Sequence, residues 1–116
     1  MRFHKPHDEF DYPSAIEFQN KIFHLSAKFN GCTKEDFAET ITDFGGECRG
    51  FGSKKHLNIR ETDYLIIGDD GYRTEDHGDK FTKIRNHNTK NPDHKILIIK
   101  QSHCMDLIGK MQPPKP

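Results

Sequence analysis

Hydrophobic residues along the chain gather in three short runs separated by longer amphipathic or polar stretches. The runs lie at Lys21–Ser26, Tyr64–Ile67 and Ile96–Ile99. Apolar runs of this length are typical of parallel strands that are buried on both faces of a sheet. A fourth stretch, Glu47–Phe51, is short, polar and interrupted by Gly50, which favours a strand at the edge of the sheet.

One amphipathic helix is predicted between the first run and the polar strand. Thr33 is followed by Glu35 and Asp36, which is typical of a helix N-cap with acidic residues in the first turn. The apolar residues that follow at three- and four-residue spacing are Phe37, Ala38, Ile41 and Phe44. Gly45 and Gly46 come next, and a glycine in this place can take the left-handed conformation that ends a helix. Both glycines are therefore interpreted as structural.

The second half of the chain predicts two more helices. We expect an acidic loop at Asp69–Asp79, a helix from about Lys80 to His87 capped by Asp79, and a loop at Asn86–Asp93. A last helix is expected after Ser102, with inward-facing Cys104, Leu107, Ile108 and Met111. The resulting order is β-α-β-β-α-β-α, which predicts a three-layer α/β sandwich around a mostly parallel sheet.

The length of 116 residues corresponds to one domain. We expect residues 1–19 to be a partly ordered N-terminal extension that packs on the edge of a domain at 20–111, and residues 112–116 to be a flexible tail. Hydrophobic residues make up 32% and charged residues 31%, so the core should be modest and the surface heavily charged.

Charge is balanced over the whole chain and uneven along it. The 18 basic and 18 acidic residues argue against a protein that coats nucleic acid by bulk charge. The stretch Glu61–Asp79 contains seven acidic residues and one basic residue, Arg73. The stretch Lys80–Lys100 contains six basic residues and one acidic residue, Asp93. The second stretch predicts either a local positive surface or a solvated helix face.

Cysteine and histidine positions argue against several kinds of site. Cys32, Cys48 and Cys104 are widely spaced, which favours free thiols in a reducing compartment. The eight histidines have no recognised ligand spacing, so we expect no metal and no cofactor. No Cys–His pair is placed together by the pattern, so we expect no enzyme. We also expect no signal peptide, since the opening Met-Arg-Phe-His-Lys is followed by proline, histidine and acids instead of an apolar stretch. No membrane association is expected, since no apolar run approaches the roughly 20 residues of a transmembrane helix.

Four segments together resemble the BRCT domain of DNA repair and replication proteins, over about residues 20–110. They are Leu25-Ser26-Ala27-Lys28-Phe29, Phe44-Gly45-Gly46-Glu47, Thr62-Asp63-Tyr64-Leu65-Ile66-Ile67-Gly68 and Gly78-Asp79-Lys80. The chain is similar to the single BRCT modules of bacterial DNA ligases and of the replication factor C large subunit. Two residues depart from the family pattern, since Ala27 stands where glycine is usual and Cys104 where tryptophan or phenylalanine is usual.

The resemblance implies a fold and a phosphate pocket. The sheet would have the order 2-1-3-4, with helices 1 and 3 on one face and helix 2 on the other. The pocket would consist of the Ser26 hydroxyl, the Ala27 amide and Lys80, with Lys28 beside it. Lys34 matches the basic residue of members that recognise a 5′-phosphorylated DNA end. A secondary basic surface would comprise Arg49, Lys54, Lys55 and Lys83.

The function implied is a non-catalytic binding module in DNA replication or repair, and alternatives remain beside it. One is a protein-interaction module of the DNA-damage response that recognises a phosphopeptide or an unmodified partner, although high-affinity phosphopeptide binding generally uses two packed BRCT domains. Another is a small α/β enzyme with an unrecognised site. Ser26 can equally be a strand-end hydroxyl, and Lys34 and Lys80 can be exposed surface charges. The expected location is the cytoplasm or nucleoid of a bacterium, or the nucleus of a eukaryote.

Overall fold

The computed structural model of the chain describes residues 10–52, 56–69 and 74–110, with the backbone alone for 74–81. The elements, in chain order, are β1 (Ile22–Ser26), α1 (Lys34–Asp43), β2 (Glu47–Arg49), β3 (Tyr64–Ile67), α2 (Thr74–Lys90), β4 (Leu97–Lys100) and α3 (Gln101–Gly109). This order confirms the β-α-β-β-α-β-α pattern predicted from the sequence. No helix in these residues is long and apolar enough to cross a bilayer.

The strands of the described segments form one parallel sheet in the order β2-β1-β3-β4. Ser26 at the end of β1 is level with Ile67 of β3, and Ile67 is level with Lys100 of β4. The carboxyl ends of these three strands therefore meet at one edge of the sheet. The predicted strand order is confirmed.

Two apolar clusters cover the two faces of the sheet. On one face Ile41 of α1 and Cys104 of α3 pack with Phe23 of β1. On the other face Ile84 of α2 packs with residues of β3 and β4, among them Leu65. Helices α1 and α3 thus share one face and α2 covers the other, as expected.

Helix α1 begins and ends as the sequence predicts. The hydroxyl oxygen of Thr33 accepts a hydrogen bond from the amide of Asp36 at 3.0 Å. At the other end Gly45 has a φ of 96°, and the amides of Gly45 and Gly46 donate to the carbonyls of Thr42 and Ile41. This is the Schellman arrangement that satisfies the last carbonyls of a helix.

The predicted bounds of the second helix are wrong at both ends. Helix α2 begins at Thr74 and not at Lys80, so Lys80 lies in its second turn, Asp79 does not cap it, and part of the predicted acidic loop is helical. Acidic residues are favoured near a helix N-terminus, so the composition of this stretch suits a helix start as well as a loop.

The loop predicted at Asn86–Asp93 is helical as far as Lys90. Tertiary contacts account for the difference, because the side chain of Asn88 bonds both the amide and the carbonyl of Ile96, at 2.7 and 2.9 Å. The Thr89 hydroxyl donates to the carbonyl of Arg85 at 3.0 Å. These bonds satisfy side chains that would otherwise favour a turn. Smaller shifts shorten β2 to Arg49, move β4 to Leu97–Lys100 and start α3 at Gln101.

The segment at residues 10–21, which precedes β1, passes along the outer edge of β4. The amide of Asp11 donates to the carbonyl of Ile98 at 2.6 Å, and the Asp11 carboxylate accepts from the amide of Ile98 at 2.8 Å. Phe10 is buried on the α2 face, whereas Phe18 is buried on the opposite face in the same cluster as Cys104. The segment therefore contributes aromatic rings to both layers of the core.

Candidate anion-binding site

The candidate site lies where β1 ends. Ser26 is the last residue of β1 and is only 3% exposed, and its carbonyl accepts a hydrogen bond from the amide of Gly68 at 2.8 Å. A Cβ placed on Gly68 would lie 2.3 Å from the carbonyl oxygen of Lys28. The loop that follows β1 thus packs directly on the end of β3, and only glycine fits at the contact.

Ala27 adopts a backbone conformation that alanine rarely takes. Its φ is 65°, in the left-handed region where glycine is favoured. The turn therefore has the conformation that a glycine at this place would allow, although a Cβ is present. This conformation redirects the chain from buried β1 to the surface loop at Lys28.

An open cleft of about 360 Å³ lies between this loop and the start of α1. Its lining residues are Ala27, Lys28, Phe29, Cys32, Thr33, Lys34, Glu35 and Phe51. The cleft brings together three of the residues predicted from the sequence, with Ser26 directly before them. The N-terminus of α1 and two ammonium groups favour an anion there, and the carboxylate of Glu35 opposes one.

The other predicted site residues are not brought together by the described structure. Arg49 is partly buried and its guanidinium contacts the carboxylates of Glu47 and Glu61, so these two acids offset its positive charge. Lys83 is exposed on α2, outside the residues that line the cleft. Lys54, Lys55 and the side chain of Lys80 lie outside the described residues.

Gln101 is a buried residue beside the site that the sequence interpretation missed. It is 0% exposed at the start of α3, and its side chain contacts the backbone of Asn30 and Asp69. Its one signal in the sequence is a neutral polar residue two positions after the apolar run Ile96–Ile99. The residues that it contacts are far away in sequence, so that signal does not identify them.

The cysteines have environments that disfavour the reactive thiolate. Burial raises the pKa of Cys104 to about 12, and burial, followed by the nearby Cys104 and Glu47, raises the pKa of Cys48 to about 12. The pKa of Cys32 at the cleft is also raised, by burial and then by Asp36. At neutral pH these thiols are therefore protonated and poor nucleophiles.

A chain of polar side chains at the opposite edge of the sheet has a structural explanation. His87 Nε2 lies 2.9 Å from the carbonyl oxygen of His94, and His94 Nε2 lies 3.3 Å from Asp63 Oδ1. The other carboxylate oxygen of Asp63 accepts from the amide of Ile22 at 2.9 Å. This chain links the end of α2 to the starts of β3 and β1. In the part of the chain that the structure describes, no group of three or more His, Cys, Asp or Glu residues is arranged to hold a metal.

Comparison with known proteins adds one finding to this geometry. A family model described as the BRCA1 C Terminus (BRCT) domain matches residues 13–102. The match includes every element from β1 to β4, the cleft, and the first residues of α3. No curated protein matches the chain.

Proposed function

Because the chain belongs to the BRCT family, we propose that it is a phosphate-recognition module that binds the 5′-phosphorylated end of DNA. BRCT domains are generally non-catalytic and mediate phosphate and protein interactions in DNA repair. The module would act wherever DNA is repaired or replicated, in the nucleoid or cytoplasm of a bacterium or the nucleus of a eukaryote.

The observation that carries the proposal is the cleft formed by the turn at Ala27 and the N-terminus of α1. The turn and Thr33–Lys34 line the same cleft, so backbone amides and an ammonium group can contact one anion. In the proposed complex the Ser26 hydroxyl and the Ala27 amide donate to phosphate oxygens and fix their position. Lys28 and Lys34 supply charge that favours a dianion over a neutral group.

Lys80 enters the proposal as a further charge from α2, on the strength of the resemblance. The longer α2 puts it in the second turn instead of at the first residue. Lys80→Ala is expected to weaken binding of phosphorylated DNA more than binding of unphosphorylated DNA. An equal effect on both would remove Lys80 from the pocket and leave it as a general backbone contact.

The direct test is a fluorescence-anisotropy titration with two duplexes that differ only in a 5′-phosphate. We expect the phosphorylated duplex to bind more tightly and Lys34→Ala to reduce its affinity about tenfold, as for loss of one charged hydrogen bond. Lys90→Ala is the matched control, because it removes the same charge from the far end of α2. Equal affinities of the wild-type protein for the two duplexes would exclude the 5′-phosphate proposal.

A protein-interaction function is the second candidate, and a groove between α1 and α3 favours it. The groove has a volume of about 300 Å³ and is lined by Cys32, Asp36, Phe37, Thr40, Met105, Ile108 and Gly109. Met105 is 44% exposed there, which is unusual for a large apolar side chain. A phosphopeptide bound in the cleft would be lost with Lys34→Ala, whereas an unmodified partner seated in the groove would be lost with Met105→Asp.

A further inference from the structure

We propose that Gln101 is a positioning residue for the candidate anion site, because its side chain fixes the loop that lines the site against a neighbouring loop. One loop follows β1 and carries Ala27 and Lys28; the other follows β3 and leads to α2. The inference rests on the proposed function, since its role is to hold the site in the form that binds phosphate.

The contacts of Gln101 join three separate parts of the chain. Its Oε1 atom accepts hydrogen bonds from the amide of Asn30 at 2.9 Å and from the amide of Asp69 at 3.0 Å. Its Nε2 atom donates to the carbonyl of Asn30 at 2.7 Å. Asn30 is 71 residues away in sequence and Asp69 is 32, so one amide side chain on α3 links the loop after β1 to the loop after β3.

The orientation of the amide follows from its partners. Two backbone N–H groups and one carbonyl oxygen face the side chain, so the oxygen must face the two donors and the nitrogen must face the carbonyl. The remaining direction of Nε2 is towards two sulfur atoms, Met105 Sδ at 3.4 Å and Cys32 Sγ at 3.9 Å. The network therefore specifies glutamine, since neither a carboxylate nor an apolar side chain satisfies all of these groups.

The burial of Gln101 makes the link sensitive to replacement. Gln101 is 0% exposed, so its hydrogen bonds with the amides of Asn30 and Asp69 are shielded from water on the Gln101 side, and a replacement without the amide group leaves both donors without this partner. A second bond supports the same geometry, because the amide of Ser102 donates to the Asp69 carboxylate at 3.3 Å. Loss of the Gln101 amide should let the two loops separate, and preorganised donors lose much of their effect when they are misplaced.

Gln101→Met tests the inference, because methionine keeps the length and apolar stem of glutamine and removes all three strong hydrogen bonds. The first readout is amide hydrogen exchange of Asn30 and Asp69 in the free protein, which we expect to accelerate by about tenfold or more. The second is the ratio of the two dissociation constants for unphosphorylated and 5′-phosphorylated duplex. We expect this ratio to fall about tenfold, because the donors of the site are then misplaced relative to the phosphate.

The ratio separates positioning from a general loss of stability. A variant that is only less stable has a smaller folded fraction, so its apparent affinities for the two duplexes fall by the same factor. The ratio of its two dissociation constants therefore stays at the wild-type value. Ile84→Val is the matched control, because it trims a buried side chain on the opposite face of the sheet. We expect it to lower the melting temperature and leave the ratio unchanged.

The outcomes distinguish failure of this inference from failure of the proposed function. A wild-type ratio of one contradicts phosphate recognition, and the positioning role falls with it. A wild-type ratio well above one that Gln101→Met leaves unchanged overturns the positioning role alone. Unaltered exchange at Asn30 and Asp69 in Gln101→Met also overturns it, because the loops would then be held by other contacts.

Discussion

Ala27 has a backbone conformation that is unfavourable for alanine. Its φ of 65° places an alanine in the left-handed region, which costs about 1 kcal/mol relative to glycine. The strained residue lies in the turn that leads from Ser26 into the cleft. Strained residues of this kind are common where a binding site requires a particular backbone path.

Ala27→Gly is therefore expected to stabilise the protein by up to about 0.5 kcal/mol, because relief of strain of about 1 kcal/mol is partly offset by the greater freedom of the unfolded chain, about 0.4–1 kcal/mol. Urea unfolding measures the change. The matched control is Ala38→Gly in the middle of α1, where the same substitution should destabilise by about 1 kcal/mol or more. A loss of stability in Ala27→Gly would show that the turn has no strain to relieve.

The burial of the Cys104 thiol predicts how it titrates and how it reacts. A folded-state pKa of about 12 for Cys104 means that its thiol stays protonated in the native protein when the unfolded chain, with the usual value of 9.0, already loses its proton. This difference in pKa adds to the free energy of unfolding. The contribution is fully present below pH 9 and is lost as the pH rises towards 12. At pH 8 we expect a disulfide reagent to modify Cys104 slowly in the native protein and rapidly in urea.

Peptide mapping assigns the modification to each cysteine. Cys32 is the internal comparison, since it is partly exposed and should react before Cys104. Rapid modification of Cys104 in the native protein at pH 8 would contradict the burial of its thiol.

The residues of the candidate site are predicted from the sequence only where they are neighbours in the chain. Ser26 and Ala27 are adjacent at a strand end, and Lys34 follows a recognisable N-cap, so pattern and resemblance identify them together. Gln101 has no such neighbours, because its partners lie in loops that only the folded sheet brings together. The offset of the Arg49 charge by Glu61 was missed for the same reason, since that pair joins β2 to the segment before β3.

At the scale of elements, strands and capped helices follow from local sequence, whereas the bounds of α2 do not. Thr33 caps the start of α1 and Gly45 closes its end, each through a hydrogen bond to a residue three positions away. The local sequence is therefore enough to predict both ends of this helix. Asn88 is helical because its side chain bonds Ile96 on the neighbouring segment. These hydrogen bonds depend on the tertiary structure, and the local preferences of the residues in Asn86–Asp93 by themselves indicate a loop.

Gly46 supplies a prediction about how α1 meets the sheet. A Cβ on Gly46 would lie 2.8 Å from Ile41 Cγ2 and 3.1 Å from both the Phe18 carbonyl and Phe23 Cε1. Gly46→Ala should therefore destabilise the protein by about 1–3 kcal/mol through overpacking. Thermal unfolding checks this, with Gly109→Ala as control, since a Cβ there meets nothing within 4 Å. Equal melting temperatures for the two variants would contradict the tight contact.

The segment at residues 10–21, which precedes β1, is part of the core of the whole molecule. Its backbone and the Asp11 carboxylate pair with Ile98, which covers the outer edge of β4. Phe18 stacks on Phe23 with the ring centroids 5.4 Å apart, in the cluster that contains Cys104. An aromatic ring from this segment thus lies in the same layer of the core as Cys104.

Phe18→Ala is expected to cost about 3–5 kcal/mol of unfolding free energy, the usual cost of deleting a buried aromatic ring. Chemical denaturation of the full chain gives the value. Tyr12→Ala is the control from the same segment, because Tyr12 is 50% exposed and should cost less than about 1 kcal/mol. A small and equal effect of both substitutions would show that the segment lies on the surface without supporting the core.

The turn after β1 and the start of α1 are proposed to form one phosphate site, and an NMR titration examines this claim at single backbone amides. Backbone amide shifts are followed while a 5′-phosphorylated duplex, and then the same duplex without the phosphate, is added to the labelled protein. We predict that the shifts specific to the phosphate are largest at the amides of Ala27, Lys28 and Lys34. Identical shift maps for the two duplexes, or phosphate-specific shifts confined to Phe37 and Met105 in the groove between α1 and α3, would contradict the claim.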